Sequence, residues 1–231
     1  MRTIELALES RGDTKFLRWS LSGVIFVHFL APLLFERNPD TLKAMASLVT
    51  ERELKMLEQV HGARVVEAAR IPEIFSLKGD GILSGGGETI GILTADCLPL
   101  LLVGDTKVVL LHVGWRGMVA GIVEKGISLL EYSTYIKALL GPCIRGCCYQ
   151  VDEPFLQKVK ASYPHLDGAW SRENNSLRFD IPKAVEEILR HNGVGEVLDC
   201  GFCTCCDTRF PSYRRDGERA GRMLTLAWRE R

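Results

Sequence analysis

Leu98-Pro99-Leu100-Leu101-Leu102-Val103-Gly104-Asp105-Thr106-Lys107-Val108-Val109-Leu110-Leu111-His112-Val113 is the stretch that decides the fold of this chain. Two apolar runs flank Gly104-Asp105-Thr106-Lys107, a good turn sequence, and read as the strands of a hairpin. The turn also sets a register. With Asp105 and Thr106 at its centre, Gly104 faces Lys107, His112 faces Pro99 and Cys97 faces Gly114. Side chains alternate along a strand, so Cys97 shares a face with Pro99 and becomes a diagonal neighbour of His112. Diagonal Cβ atoms lie about 7 Å apart or somewhat less. One zinc spans that gap, with Zn–S near ~2.3 Å and Zn–N near ~2.1 Å. A one-residue change in the turn would put the two side chains on opposite faces. The competing reading makes Cys97 a small buried hydrophobe and His112 a hydrogen-bonded core histidine.

Features on either side of the hairpin bear on that choice. His61, in Gln59-Val60-His61-Gly62, supplies a third candidate ligand. Three protein ligands suit a zinc site with one open position, and open sites do chemistry. Asp96 interrupts an apolar stretch beside Cys97, and a charge there needs a partner. Arg116 follows His112 by four, just before a helix expected from about Gly117; a helix N-terminus with an arginine is an anion site, unless the arginine pairs with a surface carboxylate. Trp115 is expected to pack under that helix. Gly85-Gly86-Gly87 lacks the Gly-Lys-Ser/Thr ending of a phosphate loop and reads as a hairpin or substrate-side loop.

Further out, the pattern mixes strands and helices. Asn38-Pro39-Asp40 opens a short helix to about Leu48. Thr50 with Glu53 resembles a capping box, although Lys55 to Val66 reads equally well as strand. Ile90 to Leu93, Tyr135 to Leu140, Val197 to Cys200 and Met223 to Trp228 read as strands. Met118, Val119, Ile122, Val123, Ile127 and Leu130 recur at helical spacing. Asp152 and Asp180 cap two more helices, the second stopping at Asn192-Gly193. The expectation is an α/β (α+β) layered sandwich with a mixed sheet, one domain over residues 1–231.

Composition narrows the function. Hydrophobic residues make 46% and charged residues 25% of the chain, ordinary globular values. Lys+Arg and Asp+Glu are both 29, which argues against a nucleic-acid partner. The N-terminus lacks the apolar core of a signal peptide. The apolar run from Gly23 to Phe35, with His28 and Pro32 inside it, is too short to span a bilayer. The expected compartment is therefore the cytoplasm, where eight cysteines are thiols or metal ligands. Cys143, Cys147 and Cys148 form one cluster, and Cys200, Cys203, Cys205 and Cys206 another. Two pairs from these would supply four thiolates for a second, structural zinc. Irregular intervals and crowded neighbours weigh against it, in favour of buried thiols or a redox pair.

Six segments carry a resemblance. They are Gln59-Val60-His61-Gly62, Asp80-Gly81-Ile82-Leu83-Ser84, Thr94-Ala95-Asp96-Cys97, His112-Val113-Gly114-Trp115-Arg116-Gly117, Gly141-Pro142-Cys143-Ile144 and Phe210-Pro211-Ser212-Tyr213-Arg214-Arg215-Asp216-Gly217. In this order they resemble the YfiH-like, or laccase-domain, family, also labelled polyphenol oxidase and purine nucleoside phosphorylase. The resemblance implies a fold similar to the catalytic domain of cytotoxic necrotizing factor toxins. It implies His61, Cys97 and His112 as zinc ligands. It also implies phosphorolysis of adenosine, inosine and methylthioadenosine, and deamination of adenosine. One segment departs: Trp19-Ser20-Leu21-Ser22-Gly23-Val24 only faintly echoes the family's Arg-x-Gly-Gly-Val-Ser.

Each chemistry has its own demands. Deamination needs a proton shuttle, for which Asp80, Asp96 and the Cys97 thiolate are candidates. Phosphorolysis needs an anchored phosphate, for which Arg116, Arg214 and Arg215 are candidates. Adjacent arginines project differently, so at most one of Arg214 and Arg215 is expected to point inward. A four-copper laccase is excluded by counting, because five histidines are too few for its imidazole ligands. A single copper in the His/Cys/His site, acting as a polyphenol oxidase, stays open. So do a Cys97–His hydrolase acting in peptidoglycan quality control, and a binding module clipped by a structural zinc.

Overall fold

Strand pairing in the computed structural model follows the register expected from the turn. Val108 faces Val103 and His112 faces Pro99, and the Gly104 N–H donates to the Lys107 carbonyl across the turn at 3.0 Å. The structure describes residues 2–30, 38–173 and 175–230. Leu98–Val103 and Val108–Val113 form the centre of a seven-stranded mixed sheet. Lys137–Leu140 flanks them on one side, followed by Glu196–Asp199 and Arg2–Thr3; Gly81–Ser84 and Val65–Glu67 complete the other side. Every residue of the two central strands is buried, which is why they carry no polar alternation.

The two faces of this sheet do different work. Leu98, Leu100, Leu102, Val109, Leu111 and Val113 pack against the helices Ile122–Ser128 and Ile181–His191 in one core. Leu101, Val103, Val108 and Leu110 meet Phe26, Ile90 and Ile92 of a second sheet. That six-stranded sheet runs Ala7–Arg11, Thr14–Leu21, Val24–Phe29, Met223–Arg229, Thr89–Thr94 and Leu54–Met56 in spatial order. The helix Pro39–Ser47 covers its outer face with Leu42 and Ala46. Truncating any one of these fully buried leucines to alanine costs about 2–5 kcal/mol, by lost transfer energy plus the cavity left behind. His112 shares parity with Val108 and Leu110, so it sits at the open end of the layer between the sheets.

Expected caps are present. Asn38 accepts from the Asp40 N–H at 2.8 Å, Asp152 from Phe155 at 2.9 Å and Asp180 from Lys183 at 3.0 Å. Three expectations need correction. Thr50 caps no helix: its hydroxyl accepts from the Arg52 N–H in a turn, and strands Leu54–Met56 and Val65–Glu67 follow. The helical run from Met118 is two helices, Trp115–Val119 and Ile122–Ser128, broken where Gly121 takes φ +83°. Trp115 does not lie under its helix but packs on Phe155, ring centroids 5.2 Å apart. The apolar run from Gly23 forms the strand Val24–Phe29; its continuation over residues 31–37 lies outside the described residues. No described helix is long and apolar enough to cross a membrane.

Candidate metal centre and its cleft

The hairpin end gathers three side chains. Ligand atoms of His61, Cys97 and His112 all lie within 4.8 Å of one another. The two imidazoles meet edge to face, centroids 4.8 Å apart. Each residue arrives by a different local device. His112 is the last residue but one of its strand, where its N–H donates to the Asp80 carbonyl at 2.7 Å. Cys97 follows Asp96, whose backbone takes the left-handed conformation, φ +83°. His61 is itself left-handed, φ +59°. Non-glycine residues held there cost about 1–3 kcal/mol each, and such strain concentrates at working sites.

Asp80 holds the arrangement together. It is 1% exposed, and its carboxylate accepts from the Val60, His61 and Gly62 N–H groups at 3.2, 2.9 and 2.7 Å. Its Oδ1 also accepts from His112 Nδ1 at 2.9 Å. A carboxylate only accepts here, so Nδ1 carries the proton and Nε2 is left for a metal or for Cys97. Burial opposes the Asp80 charge, but the hydrogen bond from His112 and the Gly62 and His61 N–H groups outweigh it, holding its carboxyl below the usual range. The Cys97–His112 pair shows the same competition. Burial disfavours both charges, yet each charge favours the other: the thiol is pulled down and the imidazole pushed up. A thiolate with two imidazoles is a borderline-soft donor set that suits zinc or copper and leaves a fourth position open.

Space around the ligands is tight. A Cβ on Gly114 would lie 3.1 Å from the Cys97 sulfur and 3.3 Å from His61 Cδ2. A Cβ on Gly117 would meet the Gly62 carbonyl oxygen at 2.9 Å. Glycine at both positions lets the helix Trp115–Val119 press against the loop that carries His61.

A cleft of about 630 Å³ opens over the centre. Cys97, His61 and His112 line it with Asp96, Arg116, Arg214 and Tyr149. Asp96 is anchored at both oxygens, by the Thr204 hydroxyl at 2.6 Å and the Arg214 N–H at 2.6 Å. The Arg214 guanidinium donates to the Gln150 carbonyl and lies over the Tyr149 ring at 5.1 Å. Arg116 lies over Trp115 at 5.0 Å. Arg215 turns away: it binds the carbonyls of Thr204, Cys205 and Phe210 and pairs with Asp216. Only one of the two adjacent arginines therefore lines the cleft. Asp80 is not on the cleft lining, and all its contacts are already made.

Gln59, Tyr149, Glu218 and Arg222 also line the cleft and were not expected from sequence. Gln59 opens the segment Gln59-Val60-His61-Gly62 and Glu218 directly follows the last recognisable segment, which was the available signal. The Gln59 amide pairs with both backbone groups of Leu93, at 2.7 and 2.8 Å, and so joins the His61 loop to the neighbouring strand.

Fold and site together define a layered α/β sandwich, two stacked sheets with helices on their outer faces, and a His/Cys/His group able to hold a metal ion at the end of its central hairpin. The chain belongs to the family described as multi-copper polyphenol oxidoreductase laccase, which matches residues 32–230. A purine nucleoside phosphorylase of Aquifex aeolicus is 37% identical over 152 residues, 64% of this chain and 70% of the relative. One of Pseudomonas aeruginosa is 36% identical over 181 residues, 74% of this chain and 72% of the relative. Among solved structures, YlmD from Geobacillus stearothermophilus matches with a TM-score of 0.83 at 22% identity, over 98% of this chain and 100% of that one. A Neisseria meningitidis protein of family DUF152 matches with a TM-score of 0.82 at 24% identity, over 94% and 99%. These two likenesses concern the fold.

Proposed function

We propose that this chain is a zinc-dependent purine nucleoside phosphorylase acting on adenosine, inosine and methylthioadenosine, with the cytoplasm as its compartment. One observation carries the reading: the His61/Cys97/His112 centre opens on a cleft lined also by three arginines, Arg116, Arg214 and Arg222, and by the rings of Trp115 and Tyr149. The names of the relatives support the same chemistry. Eight free thiols fit a reducing compartment.

In phosphorolysis, a phosphate oxygen attacks C1′ of the ribose, the bond to the purine nitrogen breaks, and the purine leaves with a proton. Arg116 and Arg214 hold the phosphate, because guanidinium groups match its oxygens in pairs. Tyr149 and Trp115 offer flat surfaces to the base. Asp96 and Glu218 are the carboxylates on the cleft, so proton transfer to the purine falls to them. Asp80 acts as a positioning residue through His112. When bound, the metal supplies Lewis-acid stabilisation of negative charge in the cleft. Deamination of adenosine, in which water attacks C6, the C6–N6 bond breaks and ammonia leaves to give inosine, is a second reaction proposed for the same site.

The multi-copper description of the family does not extend to this chain's ligand count. His28 is buried against Thr225 and Met223, and His165 stacks on His191, so two of five histidines serve the centre. One ion, zinc or a single copper, is what the three ligands hold.

Product analysis of adenosine incubated with zinc-loaded protein tests the proposal. Adenine and ribose 1-phosphate, formed only when phosphate is present, are expected; inosine measures the deaminase reaction. Absence of both free bases, adenine and hypoxanthine, overturns the phosphorylase. A thiol hydrolase is the second reading, favoured by the mutual stabilisation of a Cys97 thiolate and a His112 imidazolium. Chelation separates the two: it abolishes the phosphorylase and spares or enhances the hydrolase.

A further inference from the structure

We propose that Cys147, Cys148, Cys203 and Cys206 form a second metal site, a closed four-thiolate centre that binds zinc and staples one wall of the cleft. This proposal stands apart from the activity proposed above. The four sulfurs come from the two cysteine clusters and all lie within 4.8 Å of one another. Cys147 and Cys148 approach Cys206 at 3.4 and 3.1 Å. A tetrahedron with Zn–S bonds of ~2.3 Å has sulfur–sulfur edges of about 3.8 Å, which falls inside the observed spread. A disulfide needs a sulfur separation of about 2.05 Å, and all eight cysteines are free. A four-iron cluster sets its cysteine sulfurs outside a cube of iron and sulfide, too wide for this group.

The surroundings suit thiolates around a cation. Backbone N–H groups of Cys206, Arg145 and Cys205 are turned towards the Cys203 sulfur, the kind of outer contact that orients and stabilises a metal ligand. Four thiolates around a divalent ion leave a net negative charge, and two arginines contact the loops that carry them. Arg178 donates to the Cys147 carbonyl and Arg215 to those of Thr204 and Cys205. Both loops are held before any metal arrives. Cys143 and Cys203 form a backbone bridge, the Thr204 N–H donates to the Cys143 carbonyl at 3.0 Å, and the Cys148 N–H to the Arg145 carbonyl at 2.9 Å. A redox pair needs two sulfurs; the buried Cys203 and its N–H donors go unused in it.

The consequence lies next door. Cys148 precedes Tyr149, which lines the cleft, and Cys203 precedes Thr204, which anchors Asp96. Joining residues 147–148 to 203–206 therefore fixes Tyr149, Arg214 and Asp96 relative to one another. Four protein ligands leave no open position, so the site clips and does not react.

Zinc content of the full-length chain, purified under reducing conditions, tests this. Two zinc ions are expected in the wild type, one in Cys206→Ser, one in Cys97→Ala, and two in Cys205→Ser, whose sulfur lies outside the cluster. Cobalt titrated into Cys97→Ala reports the site without relying on Cys206→Ser to fold. The expected result is the strong thiolate-to-cobalt charge transfer of a tetrahedral four-sulfur site. A wild-type zinc content that Cys97→Ala abolishes and Cys206→Ser leaves unchanged overturns the proposal, whereas one zinc that survives Cys97→Ala and is lost in Cys206→Ser supports it and tells only against the His61/Cys97/His112 centre. A Cys147–Cys206 or Cys148–Cys206 disulfide in that reduced preparation, or a cobalt spectrum without thiolate ligands, also overturns the proposal.

Discussion

Cys97 and Cys203 are both held by folded backbone, but their neighbourhoods differ in ways that decide what each does. Around Cys97 the donors are mixed, three in number, and drawn from three separate segments; a cleft of about 630 Å³ opens over them. Two of the residues that build this centre, His61 and Asp96, sit in left-handed backbone. Around Cys203 the donors are four sulfurs from two loops, and none of them lines the cleft. A three-ligand site leaves room for a reactant, whereas four thiolates close the sphere. On the proposed assignments, the number and kind of donors, more than the presence of cysteine, separate a centre open to a reactant from one that binds structure together.

The largest expected effect breaks the comparison directly. His61→Ala should reduce phosphorolysis by more than the ~10–100-fold typical of losing an outer partner of a metal ligand, with little change in melting temperature. Cys206→Ser should do the reverse, lowering the melting temperature by several degrees while turnover per folded molecule stays within a few-fold. Each kcal/mol is worth about 2–4 °C at this size. Paired calorimetry and activity assays read both, and equal effects from the two variants would erase the distinction.

Asp80→Asn comes next. It keeps one acceptor oxygen but loses the charge that fixes the His112 tautomer and tethers the 60–62 loop. Zinc affinity and activity should fall by about 10–100-fold. Excess zinc should restore part of the activity, an outcome that a merely destabilised protein would not show; competition with a chromophoric chelator measures the affinity.

The smallest effect concerns a histidine outside both clusters. His28 is fully buried, with Nδ1 2.7 Å from the Thr225 hydroxyl oxygen, and burial lowers its pKa from 6.5 to about 3. Below pH 6.5 the unfolded chain binds a proton there that the folded protein refuses. Stability therefore falls as pH drops from 6.5 towards 3, by about 1.4 kcal/mol per pH unit, and is unaffected by this residue above pH 7. Urea unfolding at pH 5 and pH 7 should show a smaller difference in His28→Gln than in the wild type. An unchanged difference would remove His28 from the account.

Legibility in the sequence followed the range of the interactions. The Gly104–Lys107 turn is local, and a local turn sets strand parity, so the Cys97–His112 juxtaposition could be worked out in advance. Asn38, Asp152 and Asp180 were readable as caps because a cap acts within one helical turn. The N-terminal hairpin Ala7–Arg11 with Thr14–Leu21 escaped notice, since its outer strand is largely exposed and carries no apolar run. The role of Asp80 escaped as well. A carboxylate expected to carry protons turns out to be walled in by three backbone N–H groups and an imidazole. The choice between Arg214 and Arg215 needed the short helix Tyr213–Asp216, which points one at the cleft and the other at neighbouring carbonyls.

By itself, the sequence determined the central hairpin, its register, the layered class of the fold and the pairing of Cys97 with His112, because these follow from apolar periodicity and one turn; His61 joined them as a candidate ligand through the family resemblance. Tertiary structure alone decided that His61 reaches the hairpin's end, that Arg214 faces the same cleft, and that Cys148 meets Cys206 across 58 residues of chain. Such meetings depend on how two sheets stack and where their loops converge, and no local pattern of residues encodes that.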